Sequence, residues 1–293
     1  MIKKIGSKIQ KFLEVVLRNH IVLNIINFPV QHKCVNLNWA PICTNKFYLT
    51  WKSNSDKQNL GDYLAVPIFE YMVKTKGIDI NKKLSRTKHL YTIGSIILLG
   101  HQDATIWGSG ILYGEPNNFQ WKRNKYRKLD IRCVRGPETL RRLTENNYDT
   151  SKCVMGDPGV LLPLMYKPKE FEQKRDYSVI VHMVKECDIP NKIDILTNDW
   201  QATIDEIYNS KLIISSSLHG IILAESYGIP AILLDKLEFD LFKYNDYYYS
   251  TGRYEYPVCK TIEEALNTTP APLPDLKGLQ ENLMASFPTD LWE

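Results

Sequence analysis

The chain has 293 residues, 44% of them hydrophobic and 24% charged, with a formal net charge of +4. That size and balance fit a globular protein with room for two domains, each with its own core, and exclude a disordered, collagenous or disulfide-dense chain. The six cysteines, Cys34, Cys43, Cys133, Cys153, Cys187 and Cys259, form no CxxC pair, so they read as buried free thiols of a reducing compartment and not as a zinc site. The charge is local: within residues 1–30, Lys3, Lys4, Lys8, Lys11 and Arg18 face Glu14 alone, which makes this arm basic and the rest of the chain neutral. Ile5, Ile9, Phe12, Val16 and the run Ile21–Ile26 give the arm a broadly helical apolar pattern. Arg18, Asn19, His20 and Asn24 break it, so it is too short and too polar to span a membrane, and the small-residue cleavage site of a secretory signal is missing. Two readings stay open, an interfacial helix in weak contact with anionic lipid and a helix packed on the first domain. No second patch interleaves aromatic and basic residues, so nucleic acid is not expected as a partner.

Beyond the arm, Phe47–Trp51 reads as a strand leading into the polar loop SNSDKQNLGD and a helix from about Tyr63 to Lys74. Ala104–Trp107 is a buried strand running into Gly108-Ser109-Gly110. Asp130–Val134 is another, followed by Arg135-Gly136-Pro137 and a helix from Glu138 to about Glu145 with proline in its first turn. Cys153–Met155 leads into GDPGVLLP. The polar stretch 167–176 reads as a linker between a domain over residues 31–166 and a second over 177–268. The second set comprises Ser178–Val184, Trp200–Asn209, a strand at Leu212–Ile214, a turn at Ser215–Ser217, a short helix at Gly220–Tyr227 and a strand at Ala231–Leu234. The proline-rich TTPAPLP ends that set, and residues 269–293 form a tail that can cross back to the first domain. Alternating strands and helices with no internal repeat predict an α/β fold with a ligand cleft between its halves.

Four loops converge on that cleft if the strands are parallel. Ser217-Leu218-His219-Gly220 stands at the carboxyl end of a strand and the amino end of a helix, where free N–H groups favour an anion. His219 there can give a proton to a bound phosphate or carboxylate, or it can be a helix-start histidine satisfied by a carbonyl. In Asn59-Leu60-Gly61-Asp62 the glycine permits a tight turn and Asp62 can act as a base or as a helix N-cap. Gly108-Ser109-Gly110 is a small-residue turn whose N–H groups can approach a phosphate, without the spacing of a dinucleotide site. Arg135 can grip a carboxylate or phosphate with two parallel bonds, or pair with Glu138 on the surface. Lesser candidates are His182, Arg253 within YNDYYYSTGRYEY, and His101, which can line the acceptor side or be a solvated loop histidine; the tyrosines can stack on sugars or fill an interface.

Taken in order, Asn59-x-Gly61-Asp62, WGSG at 107–110, VRGPET at 134–139, GDPGVLLP at 156–163 and SSSLHGIILAESYGIPAI at 215–232 resemble the polysaccharide pyruvyl transferase family, over residues 45–255. The resemblance implies two Rossmann-like domains facing a cleft, as in GT-B glycosyltransferases, with the acceptor side on the first and the donor side on the second. It implies transfer from phosphoenolpyruvate onto two hydroxyls of a sugar, forming a cyclic ketal, in capsular, exopolysaccharide or cell-wall polymer synthesis. Asp62, Arg135, Leu218 and His219 match positions that matter for catalysis or donor binding. In SVIVHMVKE, His182 stands where many relatives have proline, so the resemblance gives it no role. No cofactor or metal is demanded, phosphoenolpyruvate being a substrate.

The residue types suit that chemistry. A fork-shaped cation and a helix N-terminus, Arg135 and the Ser217–Gly220 turn, meet the donor's carboxylate and phosphate. His219 is the candidate acid and Asp62 the candidate base, with Asn59, Gly61, Gly108, Ser109, Gly110, His182, Ser217, Leu218, Gly220 and Arg253 expected around the substrates. The acceptor is expected on a lipid carrier, met in the cytoplasm at the inner face of the membrane. Two rivals remain: a GT-B glycosyltransferase with a nucleotide-sugar donor, and a membrane-associated scaffold with an inert cleft.

Overall fold

The structure, a computed structural model, describes residues 33–40, 57–100, 102–115, 118–182, 189–235 and 240–293. The basic arm, the strand expected at Phe47–Trp51 and His101 lie outside the described residues.

The fold is mixed α/β with parallel sheets. Strands β1 (Val35–Asn38), β3 (Lys88–Tyr91), β4 (Ala104–Trp107), β5 (Leu129–Val134) and β6 (Val154–Met155) form one parallel sheet in the order β1-β3-β4-β5-β6. Strands β7 (Ser178–Ile180), β9 (Ile213–Ser215), β10 (Ala231–Leu234) and β11 (Val258–Cys259) form a second parallel sheet in the order β11-β10-β9-β7. Between them β2 (Gln58–Asn59) pairs antiparallel with β8 (Leu196–Thr197), and the Leu60 N–H donates to the Ile195 carbonyl at 2.9 Å. This short ladder ties the segment leading into the site to the second half. Strands β4 and β10 are buried at every position, as strands covered on both faces must be, which is why they read as continuous apolar runs.

The helices are α1 (Leu60–Tyr63), α2 (Ala65–Thr75), α3 (Asn118–Asn124), α4 (Pro137–Glu145), α5 (Leu162–Met165), α6 (Trp200–Tyr208), α7 (Leu218–Ser226), α8 (Phe242–Ser250), α9 (Ile262–Leu266) and α10 (Lys277–Ser286). Helix α4 turns Thr139 and Leu143 inward, while Arg141 bridges Glu138 and Glu145 on its outer face. Helix α7 is apolar on nearly every side because it lies between β9, β10 and the turn Pro158–Leu161.

The main core is shared. Leu64, Ile68, Leu90, Trp107 and Leu161 from the first half pack in one cluster with Ile180, Ile213, Ile221, Ile222 and Leu233 from the second. Each such side chain contributes about 1.5–3 kcal/mol by leaving water, so this interior holds the facing edges of the sheets together. The chain end adds to it. The Trp107 indole N–H donates to the Leu283 carbonyl at 3.1 Å, the Gln280 amide to the Val160 carbonyl at 2.8 Å, and Arg132 pairs with Asp290 at 2.9 Å. Residues 167–176 run along α6, where the backbone N–H groups of Lys169 and Phe171 donate to Asp205 and Asn209. No helix among the described residues is long and apolar enough to cross a membrane.

Candidate functional site

At the carboxyl edges of β1, β3, β7 and β9 the two halves enclose a cleft of about 240 Å³. Its lining mixes two chemistries, apolar Ala40, Ile96, Leu99, Leu112 and Tyr113 with polar Asp62, His182, Ser217, His219 and Lys243.

Asp62 reaches the cleft because its neighbour takes over the capping role. Helix α1 starts at Leu60 with Asn59 as N-cap, whose side-chain oxygen accepts the Asp62 N–H at 3.4 Å. The Asp62 carboxyl is therefore spared that role. Burial pushes it up to about 6, against the pull of His219 and Lys243. Gly94, at φ +100°, supplies a backbone conformation that a side chain rarely adopts and keeps the space beside the Asp62 carboxylate clear.

His219 is held from two sides. Chain leaving β9 turns through Ser216 and Ser217, with the Ser217 N–H donating to the Ser215 hydroxyl at 3.0 Å and that hydroxyl donating back to the Ser217 carbonyl at 2.9 Å. Among the described residues no side chain caps α7, so its first-turn N–H groups and positive dipole end stand at the cleft beside Ser217 and Leu218. A Cβ on Gly61 would lie 2.0 Å from His219 Nδ1, so only glycine lets α1 approach the ring this closely. Beyond Nε2, at 3.7 Å, lies the fully buried carboxylate of Asp157.

Lys243 and His182 add two further basic side chains to the cleft lining. Lys243, from α8, is pushed down to about 8 by burial and by the charge of Arg135, with Asp62 pulling the other way. His182 is pushed down to about 4 by burial, with Lys243 and His219 adding to it, so it is neutral at physiological pH; its backbone N–H donates to the Ser216 hydroxyl at 2.9 Å.

Of the residues expected from sequence, Asn59, Asp62, His182, Ser217, Leu218 and His219 line the cleft. Gly61 and Gly220 are close-approach positions, the first against His219 and the second against the Ser215 hydroxyl. The expectation for Arg135 is corrected. Its guanidinium is fully buried behind the wall, donating from Nε to Asp246 at 2.9 Å, from Nη1 to Ser95 at 2.7 Å and from Nη2 to the Ile111 carbonyl at 2.7 Å. It meets a carboxylate, but the protein's own. Asp246 also accepts from the Thr139 backbone N–H and hydroxyl, and its carbonyl comes so near Gly136 that a Cβ there would lie 1.8 Å away.

The phosphate-binding expectation for Gly108, Ser109 and Gly110 is corrected too. The Gly108 N–H is spent on the Cys133 carbonyl and the Gly110 N–H on the Gly94 carbonyl, while the Ser109 hydroxyl also donates to the Gly94 carbonyl. The glycines serve packing: a Cβ at 108 would strike Pro158 and one at 110 the Arg135 guanidinium. Arg253 likewise lies outside the cleft lining, donating to both carboxylate oxygens of Glu225 at 2.7 and 2.6 Å and resting over the Tyr248 ring.

Sequence reasoning missed Lys243 and gave Asp157 no role. Lys243 stands in FKYNDYYYS, where the tyrosines drew attention, yet Tyr247 and Tyr248 are core residues and Tyr244 is mostly buried at the cleft edge, donating its hydroxyl to the Ser216 carbonyl at 2.8 Å. A lysine within such a buried aromatic helix was the available signal.

Residues 77–235 match the family model described as polysaccharide pyruvyl transferase. The chain is 30% identical over 208 residues to an uncharacterized protein of Acanthamoeba polyphaga mimivirus, covering 64% of this chain and 69% of that one. It is also similar to the crystal structure of a functionally uncharacterized Klebsiella pneumoniae protein, with a TM-score of 0.44 and 14% identity over 66% of this chain and 85% of that one, a likeness too slight to carry an argument.

Proposed function

This chain belongs to the polysaccharide pyruvyl transferase family, and from that premise we propose that it moves a pyruvyl group from phosphoenolpyruvate onto two hydroxyls of a sugar to form a cyclic ketal. The observation that carries the reading is the meeting of Asp62, His219 and Lys243 with an uncapped helix N-terminus in one cleft. The donor brings a carboxylate and a phosphate. Lys243 and the first turn of α7 are suited to hold these charges, and the partly apolar wall limits water around them.

His219 delivers a proton to the methylene carbon, turning it into a methyl group and leaving the adjacent carbon electrophilic. A sugar hydroxyl attacks that carbon while Asp62, with a carboxyl near 6, takes the hydroxyl proton. The carbon–oxygen bond to phosphate breaks, and a second hydroxyl closes the ring as phosphate leaves with its proton. Arg135 acts from behind, holding Ser95 and Asp246 and hence the seat of α8.

In this reading the two sheets are Rossmann-like halves of a GT-B-like architecture, with the acceptor on the first and the donor on the second. The acceptor is a lipid-linked repeat unit of a capsular, exopolysaccharide or cell-wall polymer, reached at the inner face of the membrane. The test is incubation with phosphoenolpyruvate and candidate saccharides, following pyruvylated product and inorganic phosphate together. Product with stoichiometric phosphate is expected, and His219→Ala should cut turnover by about 10²-fold or more while remaining folded. Turnover of a nucleotide sugar with phosphoenolpyruvate inert would replace this reading.

A further inference from the structure

Asp157 stands two residues beyond the end of β6 and caps the turn Pro158–Leu161, its Oδ1 accepting the Gly159 N–H at 2.9 Å. A cap of this kind uses one oxygen. The other, Oδ2, is buried without a hydrogen-bond partner among the described residues, and so is Nε2 of His219, 3.7 Å away. Buried polar atoms left unpaired are costly, and these two face each other across a gap that a small movement closes. With Gly61 against the ring and Asp157 beyond Nε2, the imidazole has one seat.

We propose that Asp157 is a positioning residue for His219, its Oδ2 accepting the Nε2 proton and leaving Nδ1 as the nitrogen that exchanges a proton with the cleft. The catalytic consequence rests on the acid role given to His219 above. A neutral imidazole carries one proton, and a carboxylate at Nε2 draws it there; the protonated ring then gives up its Nδ1 proton and returns to that tautomer. The 3.7 Å separation is an ion-pair distance longer than a hydrogen bond, and such contacts tighten when substrate fills a site.

Asp157→Asn isolates this role. Its side-chain carbonyl still caps the turn, but an NH₂ group replaces Oδ2 and donates to Nε2, driving the proton to Nδ1. Full-length protein labelled with ¹⁵N-histidine is measured by NMR at a pH where the ring is neutral, the His219 signals being identified by their loss in His219→Gln. The expected result is a protonated Nε2 and an unprotonated Nδ1 in the wild type, reversed in Asp157→Asn, with kcat lowered about 10²-fold and KM for phosphoenolpyruvate within about twofold. A wild-type ring protonated on Nδ1 overturns the proposal, and so does an unchanged tautomer or an unchanged kcat in a folded variant. If the variant fails to fold, the wild-type tautomer still decides. A wild type with the expected tautomer and no pyruvyl transfer keeps the Asp157–His219 pair and sinks the functional reading instead.

Discussion

Asp62 and Lys243 are displaced toward each other in acidity, one up to about 6 and the other down to about 8, and both displacements come first from burial. If Asp62 works as the base and Lys243 as the donor's cation, kcat/KM should rise through pH 6 and fall through pH 8. Lys243→Arg keeps its charge at all accessible pH, so the alkaline limb should move up by a unit or more; a limb fixed near 8 would assign it to another group. The same burial has a cost in stability. An unfolded aspartate titrates at about 3.9, so the folded state holds the Asp62 proton more tightly and the penalty for the charged carboxylate is absent below pH 4 and complete above pH 6. Asp62→Asn should therefore abolish turnover and stabilise the fold by about 2 kcal/mol at pH 7.5, a gain that fades toward pH 4 in urea unfolding. Equal stability at both pH values would show that the carboxylate is not strained by its surroundings.

Among the elements, the end of β5 and helix α8 are joined by Arg135 and Asp246, both fully buried. Replacing the guanidinium with a shorter point charge removes the fork that reaches Asp246, Ser95 and the Ile111 carbonyl together. Arg135→Lys should thus lose about 2–4 kcal/mol in urea unfolding and lower kcat through the displaced α8. A raised KM for phosphoenolpyruvate at unchanged stability would restore the direct grip expected from sequence. That expectation erred for a physical reason: position at a strand end indicates which edge a residue is near, but not whether a partner from 111 residues away occupies its side chain. Strand Ala104–Trp107 was legible at both ends because a strand buried on both faces is an unbroken apolar run. Strands β2 and β8 were not, being two residues each, without an apolar run, and defined only by each other. His219 and Asp62 were legible because strand-to-helix turns carry their own signals of small and capping residues. Lys243 was not, because its place in the cleft depends on how α8 packs across the halves.

For the whole molecule, the cleft lies where two parallel sheets share one core, and its groups come from segments far apart in the chain, an arrangement that suits the proposed transfer from a small donor to a large acceptor. A large acceptor carried on lipid would confine the enzyme's work to a surface. Residues 1–30 hold the chain's net positive charge on a broken apolar pattern, and that composition suits attachment to anionic lipid without a spanning helix. Each basic residue near such a surface contributes about 1 kcal/mol, so removing the arm should weaken partitioning by about 10²-fold or more. Because these charges are screened over about 10 Å at 0.1 M salt, binding should fall steeply as ionic strength rises. Co-sedimentation with anionic vesicles, comparing the full chain with one lacking residues 1–30 and confirming by circular dichroism that both are folded, measures this directly. The full chain should pellet at low salt and the truncated one remain in solution. If both pellet alike, attachment belongs to another surface; if neither does, the acceptor must come to the cleft through solution.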